Sequence, residues 1–320
     1  MKKININEIK GFKIGCAEDE KGGTGVTAII CEKGATAGVD VRGGGPATRE
    51  TDLLKPENMV QEIHSVVLSG GSAYGLEAAS GVMNTLETKG IGFDVGVGVV
   101  PIVCGASLFD LVVGDSKCRP DKEMGARAAE NALAGSGFNA GNHGAGTGAT
   151  VGKYLGVERF MKSGQGSFAV EAGNIQCGAI TAVNALGDIF GADGKQIAGI
   201  LTEDKKSLDS TEGLILEEIE KDRNVFSGNT TISCIITNGK LTKAQCTKLA
   251  AIAHDGYARA IKPVHTSADG DTIFVMTTAE VEVNFDALGT LATKVISLAI
   301  ENAVLSAEPA YGLPAAKDFI

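Results

Sequence analysis

Tryptophan is absent from the 320 residues and aromatic side chains make up only 5% of them, so the core cannot rest on large rings. With 43% apolar residues the chain still has the means for a substantial core, and that core must be built from Ala, Val, Ile and Leu. Small side chains of this kind suit close-packed layers. Proline is scarce too, at 7 residues, against 44 glycines set between apolar, β-branched stretches. That balance points to tight turns and closely packed strands rather than disorder.

An excess of basic charge is also missing. The net charge of -10 and a pI near 5.0 argue against nucleic acid or an anionic membrane as the main partner, and a neutral or cationic small substrate fits better. The start MKKININEIKGFKIG lacks the continuous apolar segment of a secretory signal, and no apolar run approaches the roughly 20 residues that span a bilayer. The expected location is therefore cytoplasmic. Seven scattered cysteines without a CxxC pair argue against a disulfide scaffold or a zinc ribbon and read as small buried hydrophobes.

Apolar runs bounded by glycine alternate with helical patterns. Gly25–Ile30, Ala37–Val41, Ser65–Leu68, Phe168–Glu171, Ala179–Val183 and Thr272–Thr277 read as strands. Ser72–Thr88 (with Ser72 as N-cap), Asp121–Ala134, Leu208–Arg223, Lys243–Ile261 and Phe285–Ser306 read as helices. Strands and helices come in blocks without a regular βαβ beat, so the expected fold is a layered α+β sandwich with helices outside the sheets. No repeat and no charged or Pro-rich linker divides the chain, which is read as one domain over residues 1–320.

Several motifs for chemistry are absent. There is no GxSxG elbow, and His64, His143, His254 and His265 show no metal-ligand spacing, so each reads as structural. The glycine-rich GNHGAGTGATVGKYLG (Gly141–Gly156) fails the Walker pattern at two positions. It reads as a turn-rich hairpin, with an anion cradle as the alternative. Lys153 inside it is notable, because a desolvated ammonium has a lowered pKa and suits base or electrostatic work. Asp269-Gly270-Asp271 precedes a strand, as a plain turn would, or as a carboxylate pair able to hold an amine or orient a hydroxyl.

The stretch VFSGNTTISCIITNG (Val225–Gly239) places a pliable Ser227-Gly228-Asn229 directly before a strand that opens on Thr230 and Thr231. A threonine hydroxyl is a weak nucleophile, and one way to activate it is to make its residue a free N-terminus whose α-amino group acts as base. An internal threonine reaches that state only if the bond before it is cut. A flexible Gly-Asn lead-in would let the Asn229 carbonyl bend toward the Thr230 hydroxyl, while the strand behind holds the threonine. A loop entering a strand is the ordinary alternative.

Taken together, GTGVTAIICEKGATAGVDVRGGGPATRETDLL (Gly23–Leu54), LSGGSAYGLEAASGV (Leu68–Val82), GAGTGATVGK (Gly144–Lys153), GNTTISCIITN (Gly228–Asn238) and ARAIKPVHTSADGDTIF (Ala258–Phe274) resemble the DmpA/NylC-type self-processing amide hydrolases. The resemblance runs in order over nearly the full chain. It implies an αββα four-layer sandwich related to N-terminal-nucleophile hydrolases, cut once between Asn229 and Thr230 into chains 1–229 and 230–320. Thr230 would be the nucleophile, Lys153 would support its activation, and Asn184 would donate to the oxyanion. Asp269 and Asp271 match the family's acidic pair, which would orient Thr230 and its new ammonium group, in a form nearer the NylC side. Tyr74 matches a pocket tyrosine.

The implied reaction is amide hydrolysis through an acyl-enzyme, on small peptides, amino acid amides or ω-amino acid oligomers, without metal or organic cofactor. The family also implies a homotetramer. Two alternatives stand beside it: an ornithine acetyltransferase-like enzyme that passes its acyl group to an amino acid, and an uncleaved, non-catalytic binding protein on the same scaffold.

Overall fold

The computed structural model describes residues 1–220 and 228–320. The strands that carry the fold are β1 (Lys2–Ile4), β2 (Lys13–Asp19), β3 (Thr24–Val41), β4 (Glu62–Ser69), β5 (Val103–Ser107), β6 (Gln165–Ala172), β7 (Ile175–Asn184), β8 (Thr230–Gly239) and β9 (Thr272–Val281). The helices are α1 (Ala78–Thr88), α2 (Lys122–Ala134), α3 (Thr211–Glu217), α4 (Lys243–Ala260) and α5 (Phe285–Leu305).

Hydrogen bonding joins the strands into one ten-stranded sheet, in the order β1, β6, β7, β8, β9, β3, β4, β5 and then the short Thr48–Arg49, with β2 on the flank of β3. Strand β3 is the hinge of this arrangement. Its first part pairs with β2 and β4, a register irregularity falls between Ile30 and Ala35, and its last part, Thr36 to Val41, pairs with β9. One apolar cluster collects Val66, Leu68 and Cys104 from one end of the sheet with Ile180, Ile232 and Phe274 from the other. Such a cluster forms only if the two halves of the sheet face each other.

The period of two along each strand assigns the layers. In β8, Ile232, Cys234 and Ile236 face the inter-sheet core, while Ile235 joins a second core with residues of α4 and α5. In β3, Ile29 faces the middle, while Val26, Ala28 and Ile30 pack under α1 and α2. The result is helices, sheet, sheet, helices: an α+β four-layer sandwich. The small side chains do what the missing aromatics left to them. A Cβ on Gly81 would lie 1.9 Å from the Lys122 carbonyl oxygen, and one on Gly125 would lie 1.9 Å from that of Ala78, so glycine alone lets α1 and α2 cross this closely.

Some expectations shift. Gly25–Ile30 and Ala37–Val41 belong to a single strand. The segment expected to be helical from Ser72 opens as a 3-10 turn, Ser72–Glu77, with Gly71 as its cap, and Ser72 itself has φ 55° and caps nothing. Among the described residues, the helix expected over Leu208–Arg223 is α3 alone, capped by the Ser210 hydroxyl, with Leu208 in a bridge to Leu201. Residues 221–227, which include the end of that expected helix and Val225 to Ser227 of the loop before Thr230, lie outside the described residues. Helix α5 meets the length and apolarity needed to cross a membrane, contrary to the expectation that no segment came near it. Its Leu288, Ala292, Val295, Ile296 and Ile300 are buried in the core shared with α4 and β6–β8, which makes it a core helix here.

Candidate active site

Strand β8 begins with Thr230. It lies directly opposite Asn184, the last residue of β7, and both are buried. Just before it, Asn229 forms a bridge to Asp269, so the turn ahead of β9 runs alongside the joint. Parallel pairing of β8 with β9, starting at Ile232 and Thr272, brings Asp269-Gly270-Asp271 to the same end of the sheet. The Thr230 hydroxyl lies against the Asn229 carbonyl oxygen.

Lys153 reaches this joint from the glycine-rich segment. It is 1% exposed, and its Nζ donates to the Gly228 carbonyl at 3.4 Å. Burial pushes its pKa down to about 7, against the pull of Asp269 and Asp110, which favour the charged form. Asn184 Nδ2 donates to the Phe109 carbonyl at 2.9 Å and to the Gly228 carbonyl at 3.4 Å, while its Oδ1 accepts from Thr150 N at 3.0 Å. The glycine-rich segment commits several of its N–H groups to neighbours within the protein. Gly144 N donates to Glu18, Ala145 N to Thr27 Oγ1 and Thr150 N to Asn184, and its one short strand, Thr150–Val151, pairs with Met161–Lys162 outside the segment.

The two aspartates flank the threonine rather than touch it among the described contacts. Asp269 Oδ2 accepts from Thr266 N at 2.6 Å, and burial together with the Asp271 charge raises its pKa well above the usual carboxylate range. Asp271 Oδ1 accepts from Thr231 N at 2.7 Å. Its other oxygen accepts from His265 Nδ1 at 2.9 Å and from His265 N at 3.2 Å. The residue between the aspartates makes the closest approach: Gly270 N donates to the Asn229 carbonyl oxygen at 2.8 Å.

Three participants escaped the reading of the sequence. His265 read as structural but orients Asp271. Gly270 read as turn filler. Asp110 is buried, accepts from Thr24 Oγ1 and Gly71 N at 2.7 Å each, and is pushed up to about 6 by burial; it is an anion felt by Lys153. Tyr74 is 59% exposed on the turn after Gly71, with the Arg119 guanidinium 3.7 Å from its ring centroid. It is not among the residues lining the cleft at Thr230, whereas Ser72 on the same turn is.

That cleft, of about 790 Å³, opens over Gly228, Asn229 and Thr230. Phe109, Leu186, Ile215, Leu216 and Ile219 give it an apolar wall, and Glu218, within 3.0 Å of the Tyr154 hydroxyl, is its acidic lining residue. Among the described residues no group of three or more His, Cys, Asp or Glu is placed to hold a metal ion.

A sandwich of this kind is the fold of the Ntn-hydrolase-type aminopeptidases. The L-aminopeptidase D-Ala-esterase/amidase of Ochrobactrum anthropi, described as a variant of the Ntn hydrolase fold, superposes with a TM-score of 0.70 at 20% identity, over 97% of this chain and 88% of that one. Residues 5–317 match the model of Peptidase family S58, and the chain belongs to that family. An uncharacterized aminopeptidase of Mycobacterium leprae is 39% identical over 91% of this chain and 84% of its own length. A 6-aminohexanoate-oligomer endohydrolase of Agromyces sp. is 30% identical over 90% of this chain and 82% of its own. The protein is a hydrolase of peptide (amide) bonds.

Proposed function

We propose that this hydrolase makes its own nucleophile, cutting once between Asn229 and Thr230 and then using Thr230 against small amide substrates. The observation that carries the reading is the Thr230 hydroxyl lying against the carbonyl of the preceding residue, in a buried joint lined by Lys153 and Asn184. In the first half, Thr230 Oγ1 attacks the Asn229 carbonyl carbon, the C–N bond breaks, and the acyl group moves to oxygen as the nitrogen takes up a proton. Water then hydrolyses the ester, releasing chain 1–229 and an N-terminal threonine. In the second half the freed α-amine takes the hydroxyl proton, a substrate amide is attacked, and water releases the acyl group.

Each neighbour has a part in this scheme. Lys153, held near pH 7 by burial, is able to act as a neutral base as well as a cation. Asn184 offers a donor that does not titrate. Asp269 and Asp271, on the turn alongside the joint, are the acidic partners this reading gives to the ammonium group that the cut would create. The substrates in this reading are small peptides, amino acid amides or ω-amino acid oligomers, in keeping with relatives named as an aminopeptidase and as a 6-aminohexanoate-oligomer endohydrolase, and the apolar wall of the cleft suits an aliphatic chain.

The test is the intact mass of the denatured, purified protein, for the parent and for Thr230→Ala. Fragments ending at Asn229 and starting at Thr230 in the parent, with an undivided chain in the variant, are expected. A parent that stays whole on long incubation removes the self-cleaving mechanism and leaves a different nucleophile to be found.

A further inference from the structure

The donors at the joint are sorted by carbonyl. Lys153 Nζ and Asn184 Nδ2 both reach the Gly228 carbonyl, each at 3.4 Å, one residue before the bond in question. The carbonyl of Asn229, where negative charge would develop during the cut, accepts from Gly270 N at 2.8 Å. We propose that the backbone N–H of Gly270 is the donor that stabilises the oxyanion formed on Asn229 when Thr230 attacks. The proposal rests on the self-cleavage reading given above.

Two further features fit. A Cβ at position 270 would lie 2.7 Å from Thr230 Oγ1 and 3.0 Å from the Gly45 carbonyl oxygen, so only glycine brings its N–H to this carbonyl while leaving the hydroxyl its room. The donor is also held on both sides. Asn229 N donates to the Ala268 carbonyl at 3.4 Å, and the Thr272 hydroxyl donates to the Gly270 carbonyl at 3.0 Å. A donor fixed before the reaction needs no reorganisation as charge builds, which is what makes such groups effective.

The electron count follows from the step itself. As Thr230 Oγ1 bonds to the Asn229 carbon, the carbonyl π pair moves onto oxygen and is met by Gly270 N–H. It returns when the bond to the Thr230 nitrogen breaks, and the hydroxyl proton ends on that nitrogen. Hydrolysis of the ester then removes the Asn229 carbonyl from its partner, which frees the same N–H for the carbonyl of a substrate.

The decisive experiment replaces Gly270 by glycolic acid, which exchanges the N–H for an ester oxygen and adds no side chain. The same replacement at Gly194, whose N–H donates to Gly191 in a remote turn, is the control. Formation of the two fragments is followed by mass, with circular dichroism confirming the fold. The Gly270 ester is expected to be cut about 100-fold more slowly than the parent, as for loss of one oxyanion donor, and the Gly194 ester at the parental rate. A folded Gly270 ester cut as fast as the parent overturns the proposal.

Amide hydrogen exchange in uncleaved Thr230→Ala protein gives a second reading that needs no ester. Protection of the Gly270 N–H supports the assignment, and rapid exchange there defeats it. A parent that never divides sinks the self-cleavage reading, and this inference with it, whereas a parent that divides beside an unaffected Gly270 ester sinks only the inference.

Discussion

Asn184 and Thr230 stand opposite each other as register partners at the ends of β7 and β8. The amide of Asn184 is fixed in one orientation, because its oxygen accepts from Thr150 N and its nitrogen donates to the Phe109 and Gly228 carbonyls. Asn184→Asp would turn a carboxylate oxygen toward two carbonyl oxygens, while Asn184→Ala only removes the donor. In Asn184→Ala, chain cutting is expected to slow because the Gly228 carbonyl beside the joint loses a donor, and substrate hydrolysis to fall by about 100-fold, as for loss of an oxyanion donor. The isosteric Asp variant should be no better. Time courses of fragment mass measure the first and release of amine from an amide substrate the second; parental rates in Asn184→Asp would remove Asn184 from the machinery.

His265 acts on the site through Asp271. Loss of its Nδ1 donor leaves Asp271 Oδ2 with one backbone N–H at 3.2 Å, and Asp271 is what holds Thr231 N at the start of β8. A hydrogen bond to a charged group contributes about 1.5–3 kcal/mol, so His265→Leu is expected to slow cutting by at least about tenfold. His265→Gln, which still offers a donor, should recover part of the rate and part of the thermal stability. Equal rates in the Leu and Gln variants would reduce His265 to a packing role.

How much of this was legible in the sequence follows the range of the interactions involved. The apolar runs in TTISCIITN and TIFVMT report buried strands immediately, since that reading depends only on adjacent residues. Strand β3 was harder, because polar Glu32 and Lys33 interrupt the apolar run where the strand passes from one half of the sheet to the other. The importance of Gly270 and His265 was not legible locally. One owes it to a carbonyl 41 positions away that β8–β9 pairing delivers, and the other to a carboxylate across a turn. Asp110, deep in a strandless segment, has no spacing that links it to Lys153 at all. Tyr74, which the motif match assigns to the pocket, stands exposed under the Arg119 guanidinium on the same turn as the cleft-lining Ser72.

Lys162 offers a test of burial by pH. Its Nζ donates to the Gly146, Ala149 and Ser163 carbonyls, and burial pushes its pKa down to about 7 from 10.5. Between those values the unfolded chain binds a proton that the folded chain does not, so the penalty its burial places on folding is full and constant below about pH 7 and shrinks as pH rises through that window. One proton corresponds to about 1.4 kcal/mol per pH unit at most. Lys162→Met should therefore flatten the rise in unfolding free energy between pH 7 and 8.5, a window below the cysteine range. Parallel pH profiles for parent and variant, from denaturant titrations, would mean that Lys162 stays charged in the fold.

The wall of the cleft separates substrate binding from the cut. Leu216 and Ile219, 61% and 78% exposed, line it from α3 and the turn after it, and neither touches Asn229, Thr230 or Gly270 among the described contacts. A substrate's aliphatic chain laid against them would cover that surface, for roughly 1 kcal/mol per side chain when burial is partial. Replacing both by serine is expected to raise KM for an aliphatic amide roughly tenfold or more and to leave kcat unchanged, the signature of lost ground-state binding. The rate of chain cutting should not change, because the joint is already in place when the protein folds. Steady-state kinetics on the matured variant, beside its cutting time course, check both halves. A fall in kcat at constant KM would show that α3 bears on the reacting groups and does more than form a wall.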